Sequence, residues 1–446
     1  MSDAHPRVLL INQQPISRRH ATGIAMGNLF RGWPPGRIAQ IYSDDSEPDE
    51  TVCPTSWRLE VEDVPMPAFL RRHVTRWRRG RRAHQADLPG AAVSGGDHDK
   101  PSRPQAGLSR AKEAARRAAD YLPCELPPDV VGAIRRFDPD VVYSVLEDRR
   151  ITGLALDVAS RLSIPLVPHY MDDWMAMPAA QPRGPLQKWA RRDLEAKALR
   201  VLHQAPSRLV ISPDMAAAYA HRYGHAFLPF ANCVDPAERP AITHAASHRG
   251  PFRLGFSGRL LHSREAAMAD VLRALEGASE SGSAEVVVYQ AGRDDSWLDV
   301  LRSSELVRLA DATEESLLET EHCDLDAFLH VDSFDAHAVE YLRYSISGKV
   351  PWYLAAGIPL LAYGAPGTGT MRFLHEQRCA VVVDRRDEVL LRQRIGDLIA
   401  DAGMRQDLGA AAQAVFQRFF DARVQREAFR RALAEAAHGR AQTGDE

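Results

Sequence analysis

Four short segments of this sequence carry residue types whose spacing could support chemistry. The first runs Ser345-Ile346-Ser347-Gly348-Lys349 and continues through Pro351 to Gly357 and Pro359. It reads as a helix starting near Ser347 and Gly348, with Pro351 in or beside the first turn, where a missing N–H is tolerated. Gly357 reads as a left-handed cap, and Pro359 opens the next strand. Free N–H groups at that helix start, with the Lys349 ammonium beside them, would seat an anion. The plainer alternative is a βα unit with a solvated Lys349. The second segment is Gly255-Phe256-Ser257-Gly258-Arg259-Leu260, followed by Arg264. Here a strand ends at Ser257, and Gly258 would let a ligand approach the backbone at the carboxyl end, where α/β sheets bind ligands. Arg259 and Arg264 could together neutralise a diphosphate, or they could be two solvated arginines.

The third segment, Pro168-His169-Tyr170-Met171-Asp172-Asp173-Trp174, reads as the exit of another strand. A histidine and two carboxylates on one loop can orient or deprotonate a hydroxyl. The alternative is a buried, hydrogen-bonded histidine. The adjacent aspartates have no spaced third ligand, so no metal is expected. The fourth segment, 12–23, leaves the first strand and enters a helix at Thr22-Gly23, whose backbone N–H groups could meet a ligand. An ordinary loop is the plainer reading. It contains no GxGxxG, so a hydride-transferring dinucleotide enzyme is not supported.

These segments need elements that hold them. Apolar, β-branched runs recur at 8–11, 141–145, 164–168 and 209–212. They recur again at 254–257, 285–289, 327–331, 359–363 and 380–383, each followed by a helix-like stretch. Such alternation predicts parallel βαβ units whose strands are buried on both faces. The series restarts after 236–250, a stretch rich in Pro, Ala and His without periodicity. The expected organisation is therefore an N-terminal Rossmann-like domain over 1–235, a linker over 236–250 and a C-terminal Rossmann-like domain over 251–422. A helix and tail follow over 423–446. Residues 86–107, poor in apolar side chains, read as a mobile loop.

With 446 residues the chain is long enough for two or three domains. Its net charge of −3 leaves any attraction to nucleic acid or anionic lipid to a local patch. The five cysteines are scattered and form no CxxC pair, which argues against a disulfide framework or structural zinc. No run of about 18 apolar residues predicts a membrane span, and the start shows no signal-peptide pattern. A cytoplasmic protein is the expectation.

Taken together, the four segments resemble retaining glycosyltransferases of family 4, which have the GT-B fold of two Rossmann-like domains facing across a cleft. The resemblance also rests on Pro139–Tyr143, Ser207 to Met215, Tyr219, Tyr223 and Asn232 to Asp235, and covers nearly the whole chain. It implies a nucleotide-sugar donor, a glycan or lipid-linked acceptor, and work in surface polysaccharide or glycolipid synthesis. No cofactor and no metal are implied. The C-terminal helix is expected to cross back to the N-terminal domain. Arg259 and Arg264 match the basic pair that binds the donor diphosphate, His169 the histidine near the transferred sugar, and Gly23 part of the N-terminal glycine loop. Gly258, Ser347 and Lys349 fall in the donor-binding segments. One departure stands out. The family's two glutamates, eight positions apart, contact the sugar and the ribose, but the matching positions are Tyr344 and Trp352, while Glu340 is four residues out of register. That departure allows a second reading, a catalytically degenerate GT-B binding or scaffold subunit.

The stretch 70–82 places Leu70, Val74 and Trp77 on one helical face with arginines around it. Such a helix suits an anionic membrane surface. A phosphate backbone would suit it too, but no nucleic-acid-reading motif accompanies it, and no nucleic-acid partner is expected.

Overall fold

The computed structural model describes residues 5–18, 20–59, 125–146, 149–175, 184–238, 250–258, 260, 263–279, 283–290, 301–302, 304–311 and 325–438. Arg259, the basic stretch 70–82, the segment 86–107, most of the expected linker (239–249) and the tail 439–446 lie outside the described residues.

Two all-parallel sheets dominate. The first orders its strands β3-β2-β1-β4-β5-β6-β7. They are β1 (Val8–Asn12), β2 (Ile38–Tyr42), β3 (Ser56–Arg58), β4 (Val141–Ser144), β5 (Leu166–Tyr170), β6 (Leu209–Val210) and β7 (Leu228–Pro229). The second orders its strands β10-β9-β8-β11-β12-β13. They are β8 (Phe252–Ser257), β9 (Ala284–Gln290), β10 (Val307–Asp311), β11 (Ala327–Val331), β12 (Leu360–Tyr363) and β13 (Val381–Val383). In both sheets the chain starts centrally, winds outward one way and then reverses. The reversal leaves a crevice beyond the strand ends, where such sheets take ligands. The sequence reading missed β2, β3, β7 and β10. Gln40 interrupts the apolar run of β2, β3 and β7 are very short, and β10 (VRLAD) carries an arginine.

Helices cover both faces of each sheet, which is why the strands read as unbroken apolar runs. On the first sheet, α1 (Ala21–Phe30) covers one face, and α2 (Pro128–Phe137), α3 (Arg149–Leu162), α4 (Pro185–Gln204) and α5 (Pro213–Tyr223) cover the other. On the second, α6 (Glu265–Ala278) and α10 (Glu388–Ala400) contribute Val271, Leu275, Leu391 and Ile395 to one core. The opposite core takes Leu354 of α8 (Val350–Ala356), Leu374 of α9 (Gly369–Gln377) and Phe416 of α11 (Ala402–Phe419). A short helix, α7 (Ala336–Tyr341), follows β11.

The last helix, α12 (Ala422–His438), crosses back to the first sheet, as the resemblance implies. Val234 and Ala422 exchange backbone hydrogen bonds with the chain about each other, with Val234 N–H donating to Phe420 O at 2.9 Å and Ala422 N–H to Val234 O at 2.9 Å. Phe429 then packs edge-on to Phe30 and Phe230, with centroids 4.9 and 5.3 Å away. No described helix is long and apolar enough to cross a membrane.

Candidate functional site

The carboxyl ends of β8 and β11 bring the first two sequence segments together. The helix expected at Ser347 and Gly348 starts later, at Val350, with Pro351 in its first turn and Gly357 as its left-handed cap at φ +69°. Ser347, Gly348 and Lys349 therefore form the turn before it. That turn is anchored: Ser347 N–H donates to Thr370 Oγ1 at 3.0 Å, and Asn232 Nδ2 to Gly348 O at 2.8 Å. So held, Lys349 extends to the end of β8. Gly258 has φ +97°, and a Cβ there would overlap the Lys349 ammonium. The same ammonium lies 5.6 Å from the centre of the Phe256 ring. A bare left-handed glycine under a cation is a suitable seat for a diphosphate. Ser257 N–H donates to Tyr353 Oη at 2.9 Å, which ties the end of β8 to α8.

Arg264 does not point freely into the cleft. Its Nε and Nη2 donate to Asp332 Oδ1 at 3.1 and 2.6 Å. Asp332, fully buried just past β11, also accepts from Thr368 Oγ1 at 2.8 Å and lies 3.3 Å from His330 Nε2. Burial pushes its carboxyl up, but His330, Arg264 and Thr368 outweigh that and hold it well below the usual carboxylate range. Much of the Arg264 charge is thus matched internally. The sequence held one general signal for Asp332, a carboxylate at the exit of an apolar strand, and none for its pairing with Arg264.

His169 lies inside β5 rather than on the loop after it, and it is completely buried. Its Nδ1 is 2.7 Å from Tyr143 Oη and its Nε2 is 3.0 Å from Phe230 O. Since a carbonyl can only accept, Nε2 carries the proton and Nδ1 accepts from the tyrosine. Burial pulls its pKa down to about 4, against the smaller upward pull of backbone hydrogen bonds to Phe230 and Val210. It is a neutral, fully occupied side chain in the N-terminal core. Gly23 occupies the third position of α1, where a Cβ would come within 2.6 Å of Pro15 O and Ser17 Oγ. Its bareness is taken up by the chain's own loop.

The Tyr344 side chain packs against the N-terminal apolar cluster and lies under the Arg372 guanidinium, 5.9 Å from its ring centre, while Trp352 packs on the C-terminal core. Neither supplies a carboxylate. Asn28 Nδ2 steadies Asn232 by donating to its Oδ1 at 2.9 Å, and across the boundary between the two sheets Ser212 Oγ donates to Tyr344 O at 2.7 Å and Arg372 Nε to Asp214 Oδ2 at 3.1 Å. The structure therefore gathers Gly258, Ser347 and Lys349, ties Arg264 to Asp332, and leaves His169 and Gly23 in packing roles. Among the described residues no group of three His, Cys, Asp or Glu side chains is arranged to hold a metal ion.

No family model matches the chain, and no curated protein does. Solved structures do. The Anabaena protein Alr3699/HepE in complex with UDP is 12% identical, with a TM-score of 0.61, over 96% of this chain and 99% of that one. The same protein with UDP-glucose gives 13% identity and a TM-score of 0.58, over 96% and 100%. Sucrose-phosphate synthase from Thermosynechococcus elongatus gives 11% identity and a TM-score of 0.57, over 96% and 99%. The apo form of the lipopolysaccharide outer core galactosyltransferase WaaB gives 10% identity and a TM-score of 0.52, over 97% and 99%. At this identity the likeness shows the fold, two Rossmann-like domains in the GT-B arrangement.

Proposed function

We propose that this chain is a nucleotide-sugar-dependent glycosyltransferase acting on a glycan or lipid-linked acceptor. The observation that carries the proposal is the seating of the Lys349 ammonium over the left-handed Gly258 at the carboxyl end of β8. In a GT-B frame that place suits the donor diphosphate. The Anabaena protein solved with UDP and with UDP-glucose has the same frame, which supports a nucleotide donor.

In this reading the bond from the anomeric carbon to the diphosphate oxygen breaks, and negative charge grows on the leaving nucleotide. Lys349 stabilises that charge, with Arg259 as its expected companion in sequence. A preorganised cation in a sheltered cleft does this without reorganising during the reaction. Arg264 acts more weakly, because Asp332 matches its charge. His169 positions Tyr143 and the Phe230 carbonyl rather than exchanging protons. Retention at the anomeric carbon and independence from metal follow from the family resemblance and stay part of the proposal, as does a membrane-bound acceptor reached through 70–82.

The test is a thermal-shift series with UDP-, GDP-, dTDP- and ADP-sugars, with and without magnesium. A ligand that binds the folded state alone, at about 100 times its Kd, stabilises by about 2.7 kcal/mol. The proposal expects stabilisation by one nucleotide class, lost in Lys349→Ala, and slow donor hydrolysis or transfer. Stabilisation without any turnover would instead favour a degenerate binding subunit, the reading motivated by Tyr344 and Trp352, which put no carboxylate at either position. No stabilisation by any of the four classes would end both readings.

A further inference from the structure

One carboxylate in the cleft has no part in the site described so far. Asp172 follows β5, two residues beyond Tyr170, on the N-terminal wall. Its partners are on the other wall. Ser345 Oγ donates to Asp172 Oδ1 at 2.6 Å and Tyr341 Oη to Asp172 Oδ2 at 3.3 Å. The side chain is half-buried. Burial raises its pKa, and the two hydroxyls draw it partly back. Each carboxylate oxygen has room for two hydrogen bonds, so the two side-chain donors leave acceptor capacity on both.

We infer that Asp172 is the carboxylate that accepts the hydroxyls of the transferred sugar, entering from the N-terminal wall where the family resemblance would place a glutamate at Tyr344. This rests on the glycosyltransferase reading above and extends it to the sugar itself.

Three observations support the assignment. Asp172 meets the opposite wall at Ser345, the residue next to Tyr344. The Tyr344 ring is turned into the N-terminal apolar cluster, and its carbonyl accepts from Ser212, so its own side chain is withdrawn from the place that a glutamate would serve. Finally, Ser345 is four residues before Lys349, a stretch of at most about 14 Å even when fully extended. A sugar held by Asp172 and a diphosphate held by Lys349 are then parts of one ligand laid along the same turn. A carboxylate here would also select the sugar. A donor lacking the matching hydroxyl would leave part of that half-buried acceptor capacity unfilled, which discriminates more strongly than a change in apolar contact.

A competing account makes Asp172 a pin between the two walls and nothing more. Asp214 provides the matched control, since it also bridges the walls, through Arg372, and has no contact with Asp172, Ser345 or Lys349 among the bonds described above. The experiment uses the full chain and titrates four probe pairs, UDP with UDP-glucose, GDP with GDP-mannose, dTDP with dTDP-glucose and ADP with ADP-glucose, into the wild type, Asp172→Asn and Asp214→Asn. Donor hydrolysis is followed alongside. For the pair that the wild type binds, Asp172→Asn should hold the nucleoside diphosphate within about twofold while its affinity for the sugar nucleotide relative to the diphosphate drops about tenfold or more. Donor turnover should fall about 100-fold. Asp214→Asn should leave that ratio unchanged. The inference is overturned if Asp172→Asn keeps the wild-type ratio, or if both variants weaken diphosphate and sugar nucleotide equally, as a pin requires. A wild type that binds none of the four pairs would bring down the glycosyltransferase reading, and this inference with it.

Discussion

The two walls of the cleft share a topology but use their polar residues differently. On the N-terminal wall the polar groups near the strand ends close on one another. His169 is held by Tyr143 and Phe230. Asn12 Oδ1 accepts from Val145 N–H at 2.7 Å, and Ser144 Oγ donates to Ile11 O at 2.5 Å. Asp173 is engaged by Tyr219 and Arg222. The C-terminal wall also locks one cluster, Arg264 with Asp332, yet at the end of β8 it keeps a glycine bare beneath a lysine. In the proposed function, the Lys349 charge at the end of β8 is what a leaving diphosphate would meet. From the first wall Asp172 reaches across to Ser345. Two sheets of one topology thus present different groups at their strand ends, because each end surrounds its polar groups with different neighbours.

Substitutions can break or sharpen this contrast. The largest effect is expected at Asp332, because Asp332→Ala strands the mostly buried Arg264 guanidinium without its partner. Loss of one member of a buried ion pair typically costs about 3–5 kcal/mol, readable as a lower midpoint in chemical denaturation. A change under about 1 kcal/mol would mean that Arg264 is free to serve a ligand after all.

Next comes acid sensitivity through His169. Its folded pKa of about 4 lies below the ordinary 6.5, so the unfolded chain binds the extra proton first. Its contribution is whole above about pH 6.5 and is lost as pH falls towards 4, by about 3 kcal/mol in all. His169→Gln should flatten that part of the stability profile against pH. If the slope persists unchanged in the variant, His169 is not the buried neutral group described above.

Gly258→Ala tests the other wall. The left-handed backbone at φ +97° disfavours a side chain, a cost of about 1–3 kcal/mol. The new methyl would also displace Lys349. Calorimetric titration should show nucleotide binding weakened about tenfold or more, equal to at least about 1.4 kcal/mol. The smallest effect should follow Asn232→Ala, which cuts the bridge from Asn28 to the Gly348 carbonyl. About 1 kcal/mol is expected, with faster amide exchange in the turn 345–349 as the local sign.

Much of the frame was legible in the residues. The apolar runs marked the strands that lie deepest in both sheets, because a strand covered by helices on both faces has to be apolar along its length. Pro351 and Gly357 announced the start and end of α8, because proline suits a first turn and glycine a left-handed cap. These are local properties, written within a few neighbouring positions. The tertiary structure decided which polar groups would face each other. It put His169 inside the core instead of the cleft, gave Arg264 a partner 68 positions away, and brought Asp172 to Ser345 across 173 positions. No periodicity encodes such pairings. They follow from where loops leave the sheets and how the two walls close, and burial together with the nearest partner then sets whether a charged group binds a ligand or holds the fold.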